Sequence, residues 1–100
     1  MARFEQHKEL SADLIGQTLL VRLGPTYRLR DPKIDKIDAD NGTEFVFKVM
    51  VYPPAQILEP GEHFMFFVSR LTGKDMDDWL GRAVNKIRAY AAHREHALKF

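Results

Sequence analysis

The feature that most constrains this chain is a long amphipathic period near its C-terminus. From Asp75 to about Leu98 the apolar residues fall at Met76, Trp79, Leu80, Ala83, Val84, Ile87, Tyr90, Ala91, Ala97 and Leu98. At 100° per residue they share an arc of roughly 140°, the signature of a helix with one buried stripe. Asp75 is placed to cap its N-terminus, and Asp77 and Asp78 sit in the first turn, where the helix dipole favours negative charge. Arg94 and Lys99 lie at the other end, where positive charge is favoured. Such a helix is roughly 35 Å long. A chain of 100 residues folds to a diameter of roughly 33 Å. The helix must therefore span the whole domain or project from it.

A single domain over residues 1–100 is the expectation at this length. Upstream of the helix the pattern turns to strands. Thr43 to Val51 alternates, with Phe45, Phe47, Val49 and Val51 on one face and Val46, Lys48 and Met50 on the other. Asn41-Gly42 before it is a hairpin turn signal, pairing it with a strand at Lys33 to Ala39. Glu62 to Arg70 forms another strand, with Phe64, Phe66 and Val68 on one face and Met65 and Phe67 on the other. The proline-rich stretch from Tyr52 to Gly61 reads as a loop, with one helical turn begun by Pro54. Ser11 caps a short helix through Ile15, extending back toward Phe4, which Gly16 ends. Gln17 to Leu23 then reads as a strand, Gly24-Pro25 as a turn, Tyr27 to Arg30 as a strand and Asp31-Pro32 as a further turn. The expected architecture is α+β: an antiparallel meander sheet of four to five strands, a short N-terminal helix and a long C-terminal amphipathic helix.

Chemistry is sparse. The chain contains no cysteine, which removes thiolate zinc sites, redox pairs and cysteine nucleophiles. His93 and His96 are three apart on the helix, yet no HExxH pattern or third ligand accompanies them, so no metal site is expected. The acidic run Asp35, Asp38, Asp40 and Glu44 fails the calcium-loop spacing, because Ile37 and Ala39 occupy ligand positions. Neither serine, Ser11 or Ser69, lies in a nucleophile elbow, and no glycine-rich phosphate loop is present. No enzyme activity, small-molecule cofactor or membrane partner is expected. The charged residues within Met1 to Leu10 are incompatible with a signal-peptide core, and a cytoplasmic location is expected.

What remains is binding. Net charge is only +1, distributed as +2 over residues 1–30, −4 over 31–62 and +3 over 63–100. Two strands that are apolar on both faces exceed what one layer of helices can cover, so Val46, Met50, Met65 and Phe67 are expected to need a second cover. Arg94 falls within the apolar stripe of the helix, where an unpaired guanidinium is not buried. Tyr90, Arg94, Ala97 and Leu98, with Met65 and Phe67, thus form the expected partner-binding set. The expected function is a non-catalytic protein-interaction module: a small adaptor or inhibitor of a larger assembly, of the mobile-element type, or a homodimer. The alternative is an RNA- or DNA-binding domain that uses Arg82, Lys86, Arg88 and His93 on the solvent face of the helix. RNA-recognition strands alternate aromatics with glycines and a basic residue, and the aromatic run His63 to Val68 lacks the glycines, as the chain lacks the βαββαβ order.

Overall fold

The computed structural model describes residues 11–40, 42–54 and 64–98, without the side chains of residues 39 and 93–98. The order of elements is α1 (Ala12–Leu23), β1 (Arg28–Ala39), β2 (Gly42–Tyr52), β3 (Met65–Arg70) and α2 (Met76–Leu98). The architecture is α+β, with a three-stranded antiparallel sheet of order β1-β2-β3 among the described residues. The helical turn expected at Pro54 and the extension of the first helix toward Phe4 lie outside the described residues.

Four or five strands were expected and three form among the described residues, for two local reasons. The first is that Gln17 to Leu23 is helix. Ser11 accepts a hydrogen bond from the Leu14 amide at 3.2 Å, and the helix runs on to Gly24, whose N–H donates to Leu20 at 3.0 Å. Gly16 does not stop the helix. It is buried against β1, and a Cβ at that position would stand 3.3 Å from the Pro32 Cβ, so the glycine permits a close helix-to-strand approach. Ile15, Leu19 and Leu23, spaced by four, supply the buried stripe.

The second reason is that Asp31-Pro32 is a bulge within one strand instead of a turn between two. The register runs Arg30 to Met50 and then Lys33 to Lys48, which leaves one extra residue on β1. Asp31 absorbs the bend at a φ of 55°. Proline is tolerated there because β1 is an edge strand. The hairpin also sits one residue earlier than the Asn41-Gly42 motif indicates, since Ala39 pairs with Gly42 and Gly42 is already in β2.

Both helices cover the same face of the sheet. Trp79 of α2 is 1% exposed, meets the Phe47 ring edge-on at 5.5 Å, and donates its indole N–H to Ser69 Oγ at 3.2 Å and the Arg70 carbonyl at 3.1 Å. Asp75 caps α2 as expected, accepting from the Asp78 amide at 2.8 Å. Leu80, Ala83, Ile87 and Ala91 continue the buried stripe beside Ile15 and Leu19 of α1. No helix among the described residues is long and apolar enough to cross a membrane.

Candidate binding surface

Strand register decides which side of β3 is buried. Val49 pairs with Phe67 and Val51 with Met65, so Met65 and Phe67 lie on the helix side with Phe47, Val49 and Val51. Each is 8% exposed. The expectation that Met65 and Phe67 face outward is therefore corrected: they belong to the core. Val46 is also buried and Met50 half-buried, on the open face. The side chains left over on β3 are Phe66 at 71% exposure and Val68 at 57%.

The open face has an ordered pattern. Tyr52 and Phe64 rings lie 5.6 Å apart, and Phe64 and Phe66 meet edge-to-face at 5.2 Å. Arg28 of β1 stands over the Tyr52 ring at 5.6 Å, and Arg30 reaches its hydroxyl at 3.5 Å. Toward the hairpin end the charges pair off, Lys48 with Asp35 and Arg70 with Glu44. An aromatic ridge on the β3 side thus adjoins a cationic row on β1.

The two edges of the sheet differ in kind. β1 carries Arg28, Arg30, Lys33, Asp35, Lys36 and Asp38, together with the Asp31-Pro32 bulge. Charge, proline and bulge are the devices by which natural sheets keep an edge from pairing with other chains. β3 reads Met65-Phe66-Phe67-Val68-Ser69-Arg70 and has no charge before its last residue, no proline and no bulge. Its hydrogen-bond phase follows from one contact. The Leu71 N–H donates to the Phe45 carbonyl at 2.8 Å. The bonded pairs then continue through Ser69, Phe67 and Met65, and Phe66 and Val68 direct their N–H and C=O groups outward. Among the described residues, nothing pairs with them.

Beside this edge a groove of about 400 Å³ runs beneath α2, lined by Ser69, Trp79, Arg82, Ala83, Asn85 and Lys86. The basic residues of α2 are not equivalent here. Arg88 donates to the carbonyl oxygens of Arg22 and Leu23 at 3.0 and 3.1 Å, holding the end of α1. Arg82 pairs with Asp78 at 3.2 Å and also donates to the Thr72 carbonyl. Lys86 is exposed and has no ion pair among the described residues. A helix face committed to phosphate would hold all three cations available. Two of the three are engaged within the fold.

Of the other expected positions, Tyr90 is half exposed on α2. His93, Arg94, Ala97 and Leu98 occupy its last turns, where the backbone is described and the side chains are not. The sequence reading missed Phe66, Val68 and the β3 edge. The available signal was the contrast between β3, whose one charge is its last residue, and a heavily charged β1.

Tyr27 alone shows a resolved shift among the described residues: burial raises its phenol above the usual value, against the lowering influence of Arg88. No three His, Asp or Glu side chains converge among the described residues. No protein-family model matches the chain, and comparison with curated proteins and with solved structures found no match.

Proposed function

We propose that this chain is a non-catalytic protein-interaction module whose working surface is the edge of β3 together with the adjoining open face of the sheet. The observation that carries the reading is the unequal treatment of the two edges: β1 is protected by charges, proline and a bulge, while β3 is bare. Exposed Phe66 and Val68 add to it, because burying each against a partner contributes about 2 kcal/mol. A protein that adds a strand to β3 satisfies the outward backbone groups and covers these side chains in one step. An adaptor or an inhibitor of a larger assembly works in this way, by occupying a surface without performing chemistry.

The test is capture of partners by the tagged chain, compared with Val68→Pro and Phe66→Asp, with and without nuclease. Val68→Pro removes an N–H that no β2 residue uses, so it blocks strand addition while leaving the sheet paired. Partners that survive nuclease and are lost with both variants support the reading. Capture that is unchanged by both variants, or that disappears with nuclease, overturns it.

A further inference from the structure

The groove along β3 says something about the chemistry of what would lie there. We propose that it takes an extended peptide strand whose side chains are apolar toward Trp79 and Ala83 and which carries a carboxylate to Lys86. This rests on the interaction reading above and specifies its ligand.

Three observations on the same side of the molecule support it. Phe66 and Val68 offer two outward N–H and two outward C=O groups, the ladder that a strand needs. The groove of about 400 Å³ meets β3 at Ser69, the residue after Val68, and is otherwise walled by α2, so it can take a side chain that points inward from the added strand. Its lining is apolar at Trp79 and Ala83, both largely buried, neutral and polar at Ser69 and Asn85, and cationic at Arg82 and Lys86. Arg82 is occupied by Asp78 and the Thr72 carbonyl. Lys86 is the cation left for an incoming anion among the described lining residues. The facing side chains of the same strand would rest on Phe66 and Val68.

A single-stranded nucleic acid fits less well. Base stacking requires successive free ring faces. Tyr52 already carries the Arg28 guanidinium, Phe64 is engaged edge-to-face with Phe66, and the neighbours Met50 and Val68 are not aromatic. Phe66, the most exposed ring of the ridge, is itself half of that edge-to-face pair.

The experiment titrates the full chain into a short fluorescein-labelled peptide of alternating valine and threonine that carries two glutamates. The comparison probes are its lysine counterpart, a version N-methylated on the pairing amides, and labelled oligouridylate. Fluorescence anisotropy reads binding, and amide hydrogen exchange reads Phe66 and Val68. The glutamate peptide should bind at least about tenfold tighter than the lysine peptide, a gap of about 1.4 kcal/mol. Lys86→Glu should reverse that preference, and the Phe66 and Val68 amides should become protected. Equal binding of the N-methylated probe, a preference indifferent to Lys86→Glu, or tight oligouridylate binding overturns the proposal. So does a dimer of the chain, seen by sedimentation, that protects the same amides and excludes the peptide. If partner capture depends on Val68→Pro while Lys86→Glu changes nothing, the acidic peptide is excluded and the interaction module stands.

Discussion

Arg88 of α2 donates to the carbonyl oxygen of Leu23 at 3.1 Å, tying the long helix to the last turn of α1 across 65 residues of sequence. The same guanidinium reaches the Arg22 carbonyl. The C-terminal carbonyls of a helix lack intrahelical donors and carry the negative end of its dipole, so a cation there is favoured twice over. A residue that reads as part of a solvated basic face is thus a fastening between elements.

Arg88→Ala is therefore expected to lower stability by about 1–2 kcal/mol, the usual cost of losing charge-assisted hydrogen bonds in a partly exposed setting. Lys86→Ala, at an exposed position with no ion pair among the described residues, should stay within about 0.5 kcal/mol of the parent. Urea denaturation followed by Trp79 fluorescence measures both. Equal effects would show that the two cations serve alike.

Tyr27 gives the chain an alkaline weakness. Burial raises its phenol above the ordinary value of 10.0, so above the unfolded value the native state holds a proton that the unfolded state has released. Unfolding then releases a proton, and stability falls as pH rises toward the folded value. The contribution is fully present below pH 10. The urea midpoint of the parent should decline more steeply above about pH 10 than that of Tyr27→Phe. Parallel declines would assign the effect to other groups.

The hydrogen-bond phase of β3 makes adjacent prolines unequal. Phe67 belongs to a bonded pair with Val49, whereas Val68 turns its N–H outward. Phe67→Pro should cost about 3 kcal/mol or more and unfold a marginal domain, since it removes a ladder bond and a core ring. Val68→Pro should retain the parent circular dichroism and melt within a few degrees of it. If both unfold, the outward assignment of Val68 is wrong.

Gly73, in the connection from β3 to α2, has a φ of 118°, and a Cβ there would collide with the Arg82 guanidinium and the Asp78 carboxylate. Gly73→Ala should cost about 1–3 kcal/mol through backbone strain and displacement of the Asp78–Arg82 pair. Thermal denaturation is the readout, and an unchanged melting temperature would show that the segment relaxes freely.

Much of the fold is legible locally. The period from Met76 onward and the capping carboxylate of Asp75 specify α2 without reference to anything distant, because a helix closes its hydrogen bonds within itself. The alternation in β2 is equally local. Gln17 to Leu23 misleads because Leu19, Leu20, Val21 and Leu23 satisfy a two-residue period almost as well as a four-residue one, and Gly16 looks like a stop. Its meaning is tertiary: Pro32 packs against it from another element. Asp31-Pro32 carries the same ambiguity, being a turn in isolation and a bulge once β2 is alongside.

The sequence by itself determined that the chain makes one α+β layer pair with an amphipathic closing helix, and that two strands carry more apolar surface than a single core absorbs. Only the tertiary structure decided which surface is left over. Phe66 and Phe67 are chemically identical neighbours, and nothing in their own sequence says which of them is buried. Pairing Phe67 with Val49 turns it under the helices, and the two-residue period of the strand then turns Phe66 and Val68 outward. The edge of β3, unpaired among the described residues, is likewise a property of strand order. A strand has no edge until its neighbours are placed, and β3 has one because β2 lies between it and β1.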